Sequence, residues 1–128
     1  MERTAITIEY LLRTSPTILY QFFTTPSNLV RWFCDEVDIQ GDIFTFTWNG
    51  YDEVAHLVDD IEEELVKFEW IDEERVGEYL QFKISISPVT GETILEITDY
   101  CDADEVEEQK DLWNTQIKLL KKETGSGQ

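Results

Sequence analysis

One histidine, one methionine, two cysteines and only ten lysines and arginines stand in 128 residues, against 28 aspartates and glutamates. Cys34 and Cys101 lie far apart and form no CxxC pair, so nothing supports a zinc site or a redox motif, and both are read as buried thiols. The formal net charge of −18 puts an acidic shell around any fold, because most of these charges must stay in water. Such a field repels phosphate backbones and anionic headgroups, so neither nucleic acid nor a membrane surface is expected as a partner. No apolar run approaches the roughly 18 residues of a spanning helix. The first residues, Met1 to Thr4, lead into an alternating pattern rather than a signal-type apolar run, and no Asn-x-Ser/Thr sequon occurs. A cytoplasmic location is the expectation. Glycine-rich phosphate loops and nucleophile-elbow serines are missing too, and no cofactor or metal is expected.

What is present reads as one domain. The length suits a single core, and a 41% hydrophobic fraction can fill it without disulfide or metal staples. Residues 1–124 are taken as that domain and 125–128, Gly-Ser-Gly-Gln, as a disordered tail. Ile6, Ile8, Tyr10 and Leu12 alternate as a strand face. Ser15-Pro16 then opens a helix with Ile18, Leu19, Phe22 and Phe23 on its apolar side, ended by Thr25-Pro26. Ser27 caps a second short helix carrying Leu29, Val30, Trp32 and Phe33. After an acidic connection, Phe44, Phe46 and Trp48 share a strand face, and Asn49-Gly50 turns the chain back as a hairpin. Val54, His56 and Val58, then Val66, Phe68 and Trp70, then Leu80, Phe82, Ile84 and Ile86, and finally Leu95 and Ile97, continue a meander. A long helix capped by Asp102 or Asp104 follows, with Glu105, Glu107 and Glu108 at its start, Lys118, Lys121 and Lys122 at its end, and a stripe of Val106, Trp113, Ile117 and Leu120. The expected fold class is therefore α+β: a curved antiparallel sheet of about six strands wrapped around a long C-terminal helix, with two short helices after the first strand. This is the helix-grip arrangement.

The run Thr25-Pro26-Ser27-Asn28-Leu29-Val30-Arg31-Trp32-Phe33 resembles the START-like superfamily, and within it the domains similar to the C-terminal domain of the heat-shock ATPase activator. Leu65–Trp70, Gly91–Thr98 and a terminal helix containing Trp113 follow in the order that family shows, so the likeness spans nearly the whole chain. Many relatives place a histidine soon after the last strand and glycines before the last helix, where this chain has Asp99-Tyr100-Cys101-Asp102. The resemblance implies a cavity between the long helix and the concave sheet, used across the superfamily for lipids, sterols, polyketides and other apolar molecules.

Candidate ligand-binding residues are Trp32, Phe33, Trp48, His56, Trp70, Phe82, Trp113 and Ile117. Aromatic rings on facing elements can wall a pocket for a flat or elongated apolar molecule, and they can equally be plain core. His56, in phase with Val54 and Val58, is read as pointing inward, where it orients a ligand; the other reading is a histidine satisfied by a carboxylate or lying at a sheet edge. No catalytic set accompanies it, and none is assigned. The acidic runs Glu62–Glu64 and Asp72–Glu74 can dock a basic partner or hold a divalent cation, or simply solvate turns. Asp102-Ala103-Asp104 lacks the glycine and distal glutamate of a calcium loop. The leading reading is a protein that sequesters a small apolar or amphipathic ligand, neutral or cationic given the acidic shell. The alternative is a co-chaperone-like module presenting its acidic surface to a basic protein, and a cyclase or hydrolase is the third.

Overall fold

Seven strands build one antiparallel sheet in the computed structural model, which describes residues 2–126. They are β1 (Arg3–Leu12), β2 (Glu36–Gln40), β3 (Ile43–Trp48), β4 (Tyr51–Ile61), β5 (Leu65–Trp70), β6 (Tyr79–Ile86) and β7 (Thr93–Asp102), in the order β1-β7-β6-β5-β4-β3-β2. Strands β2 to β7 are a meander, and β1 pairs with β7 along its full length, from Arg3 opposite Asp102 to Leu12 opposite Thr93. The helices are α1 (Pro16–Thr24), α2 (Pro26–Trp32) and α3 (Val106–Glu123). The sheet curves around α3, so the architecture is the α+β helix-grip arrangement expected from the sequence. Its core is the inner sheet face, with Phe44, Phe46, Phe68, Phe82 and Ile97 all buried, closed by Trp113, Ile117 and Leu120 of α3.

Local signals explain most element ends. The Ser15 side chain accepts the Ile18 N–H at 3.2 Å and Pro16 takes the first turn of α1. Asn49 and Gly50, at φ 51° and 83°, make the β3–β4 hairpin with both central residues in the left-handed region. Lys121 and Lys122 lie in the last turn of α3, where the exposed carbonyls attract cations.

The structure departs from the sequence reading in four places. The acidic connection holds a strand, β2, whose only inward residues are Val37 and Ile39; Glu36, Asp38 and Gln40 face water and hid the alternation. Charged residues on an edge strand also discourage further strand pairing. The two later helices lack the expected side-chain caps, since Thr25 rather than Ser27 precedes α2, and α3 starts after a 3-10 turn, Ala103–Glu105, with Asp102 bonded to Arg3 instead. Strand β4 has the opposite phase: Glu53, Ala55 and Leu57 face inward, and Val54, His56 and Val58 outward. Ala55 pairs with Phe44 on one side and Trp70 on the other, and a small residue between two large rings is what that position demands. Finally, Ser126 is buried and its hydroxyl accepts the Arg13 N–H at 2.7 Å, so this part of the expected tail is docked; Gly127 and Gln128 lie outside the described residues.

Candidate functional site

The gap between α3 and the sheet is filled at one end and hollow at the other. At the filled end α1 inserts Phe23, whose ring stacks on Phe82 with centroids 4.2 Å apart and planes 2° apart. Trp32 packs edge-on against both. Ile117 and Leu120 close this region from above. At the other end, beside the first turns of α3, a cavity of about 410 Å³ remains. Its volume lies within the range of small-molecule pockets, about 300–1,000 Å³.

One wall is apolar: Phe33 at the end of α2, Trp48 at the end of β3, Trp70 at the end of β5, Leu80 on β6, and Leu112 and Trp113 on α3. Hydrogen bonds fix two of the indoles. Trp48 Nε1 donates to the Phe33 carbonyl at 2.6 Å, and Trp113 Nε1 donates to Asp99 Oδ2 at 2.8 Å. Trp70 differs: its Nε1 is buried without a partner among the described residues.

The rest of the lining is polar. Asp99, buried on β7, also accepts from Gln109 Nε2 at 2.9 Å and from the Tyr100 N–H at 2.8 Å, so a carboxylate pins α3 to the sheet. Arg3 grips Glu78 with two bonds, Nε to Oε2 at 2.8 Å and Nη2 to Oε1 at 2.6 Å, and reaches Asp102 Oδ1 at 3.1 Å. Arg75, from the 3-10 turn Glu73–Arg75 in the β5–β6 connection, lies over the Trp70 ring at 4.3 Å and donates to Glu53 Oε1 at 2.5 Å. Glu105 sits at the rim, where Asp102 beside it raises its pKa above the usual carboxylate value. Burial pushes the Cys34 thiol up to about 12 and raises that of Cys101, which lines the cavity, so both cysteines are free buried thiols as expected.

Of the residues predicted from sequence, Phe33, Trp48, Trp70 and Trp113 come together around the cavity. Trp32, Phe82 and Ile117 instead belong to the filled end, because Phe23 occupies the space they would otherwise border. His56 is exposed on the outer sheet face opposite Ile43 and Glu69, away from the cavity, which removes the best candidate for a catalytic base. The sequence reading missed the polar wall. Asp99 and Cys101 share the inward phase of Leu95 and Ile97, and Glu78 that of Leu80 and Phe82, so extending the alternation through polar residues would have found them. Arg3 and Arg75, at a strand end and in a turn, carry no such signal.

The Arg3 bonds, seconded by Arg75, hold the buried Glu78 carboxyl below the usual carboxylate range. A folded-state pKa below the unfolded one means that this contribution is full above the unfolded value, about 4.3, and is lost as pH falls through the lower folded value. The melting-temperature gap between the wild type and Glu78→Gln should therefore be widest near neutrality and close in acid. A gap that stays constant across the titration would show that the charge of Glu78 contributes nothing.

A sheet curled around a long C-terminal helix, with two short helices after the first strand, defines a helix-grip domain. The chain belongs to the START-like superfamily, whose domain model matches residues 1–126. A Bacteroides fragilis protein of known solution structure is similar at 35% identity, with a TM-score of 0.67 over 95% of this chain and 91% of that one. The Aha1 dimer of Colwellia psychrerythraea shares the fold at 19% identity and a TM-score of 0.79, covering 94% and 96% of the two chains. So does an AHSA1-like protein from Aeromonas hydrophila, at 15% identity and a TM-score of 0.73 over 93% and 90%. No curated protein matches the chain. Among the described residues no helix is long and apolar enough to cross a membrane.

Proposed function

We propose that this domain binds a small amphipathic molecule in the cavity beside the first turns of α3. The observation that carries the reading is a hollow of about 410 Å³ lined both by the rings of Phe33, Trp48, Trp70 and Trp113 and by hydrogen-bonding groups, among them Arg75 and Asp99. Burying the apolar face of a ligand against these rings contributes roughly 25 cal/mol per Å² removed from water. The mechanism is sequestration rather than turnover.

Three of the four tryptophans border the cavity, which makes intrinsic fluorescence a direct reporter. The neutral dye N-phenyl-1-naphthylamine should bind saturably at one site and quench tryptophan emission. Two variants, Cys101→Phe on the cavity wall and Leu112→Trp at the half-exposed helix position beside it, should each block the dye. Absence of binding, or equal binding by both blocked variants, would refute the reading.

A second reading, an interaction module for a basic protein, is supported by the exposed acidic turn at Asp72–Glu74 and by the fold shared with the Aha1 dimer. Salt separates the two. Acidic docking weakens steeply with ionic strength, whereas entry of a neutral dye into an apolar pocket does not.

A further inference from the structure

Arg75 is the one guanidinium in the cavity wall whose hydrogen-bonding capacity the protein leaves largely unused. Its side chain is only 21% exposed. Among the described residues one of its five N–H donors is bonded, Nη1 to Glu53 Oε1 at 2.5 Å. Its Nε is buried without a hydrogen bond, and the nearest carboxylate oxygen, Glu78 Oε1, is 3.6 Å away. The position is nevertheless well defined. The Arg75 N–H donates to the Asp72 carbonyl at 3.0 Å, the Arg75 carbonyl accepts the Glu78 N–H at 2.9 Å, and the guanidinium stacks on Trp70. A pre-positioned guanidinium with one buried, unmet N–H at the edge of an empty volume is half of a recognition pair, because a buried donor left unmet is costly.

The buried carboxylates beside Arg75 are already occupied. Asp99 already accepts from Trp113, Gln109 and the Tyr100 N–H, and Glu78 is gripped by Arg3 at both oxygens. What Arg75 lacks is a second well-placed acceptor. Charge then narrows the choice, since Arg3 and Arg75 are faced by Glu53, Glu78 and Asp102, and an anionic ligand would add another negative charge to a cluster that already has an excess. A carbonyl oxygen supplies the acceptor without the charge. The indoles of Trp48, Trp70 and Trp113 and the ring of Phe33 favour a flat body.

We propose that Arg75 is the specificity-determining residue of this cavity, and that it selects a neutral, planar, mostly apolar ligand whose carbonyl oxygen accepts a hydrogen bond from the free edge of its guanidinium. This rests on the ligand-binding reading above and adds to it the chemical class of the ligand and the residue that reads it.

Three naphthalene probes of nearly equal size provide the test: 2-acetylnaphthalene with a neutral carbonyl, 2-ethylnaphthalene without an acceptor, and 2-naphthoate with a negative charge. Affinities follow from tryptophan quenching in the wild type, Arg75→Met and Arg75→Lys. The wild type should prefer the ketone to the hydrocarbon by about tenfold or more, the usual worth of a charge-assisted hydrogen bond, and should bind the carboxylate less well than the ketone. Arg75→Met should bind the hydrocarbon as the wild type does and show no preference for the ketone. Arg75→Lys keeps the charge without the fork, and should lose most of the preference while still binding the hydrocarbon; it decides the matter should the methionine variant fail to fold. Equal binding of ketone and hydrocarbon by the wild type, tighter binding of the carboxylate, or a preference undiminished in both variants would overturn the role of Arg75 alone. Failure of all three probes to bind the wild type would overturn the cavity reading with it.

Discussion

Phe82→Ala should destabilise the fold by about 3–5 kcal/mol, the usual range for removing a fully buried phenylalanine. Phe82 is 0% exposed, stacks on Phe23, and meets Trp32, Phe33 and Trp113 edge-on. It is thus where β6, α1, α2 and α3 converge, and neighbours held by several elements cannot collapse into the void. Aromatic pairing adds to the loss, at about 0.5–1.5 kcal/mol per well-formed pair. Against a typical total stability of about 5–15 kcal/mol, such a loss is large. Urea unfolding should show a much lower midpoint with little change in slope. Leu112→Ala, at a site 52% exposed on α3, is the control and should move the midpoint little. Similar midpoints for the two variants would mean that the filled end of the helix–sheet gap is not the main source of stability.

Asp99→Ala should be the most damaging change in the polar wall. Three donors converge on this buried carboxylate, two of them from α3, so its removal leaves the buried Trp113 indole N–H without its partner. Each buried donor left unmet costs about 1–3 kcal/mol. Asp99→Asn should fall between wild type and alanine: Trp113 and Gln109 both use Oδ2, so one correctly oriented amide oxygen serves both, and the amide nitrogen then faces the Tyr100 N–H and loses that bond. Unfolding midpoints should therefore rank wild type, asparagine, alanine. Tryptophan emission of the alanine variant should shift as Trp113 loses its anchor. Asparagine and alanine variants of equal stability would show that the hydrogen bonds contribute less than the packing of the side chain.

The apolar half of the site was legible because Trp48, Trp70 and Trp113 obey the period of their own strand or helix, and the period states which face they share. His56 was misread for the same reason inverted. Its strand carries Val54 and Val58 on one face and Ala55 and Leu57 on the other, so alternation alone leaves the choice open, and the aromatic neighbours of Ala55 decide it. Arg75 was invisible, since a turn residue acquires its role from what lies above and below it. Arg3 was equally hidden: its partner Glu78 stands 75 positions along the chain and becomes a neighbour only when β1 joins β7 beside β6.

Element order, hairpin turns, the long amphipathic helix and hence the helix laid in a curved sheet were set by the chain itself, because hydrophobic period and turn chemistry are local properties. Which part of the gap under that helix stays hollow was decided only in three dimensions. Phe23, brought across by α1, fills one end against Phe82, and a buried carboxylate at Asp99 holds the other end of the helix over open space. Volume left between elements depends on long-range register and packing, and no local pattern encodes it.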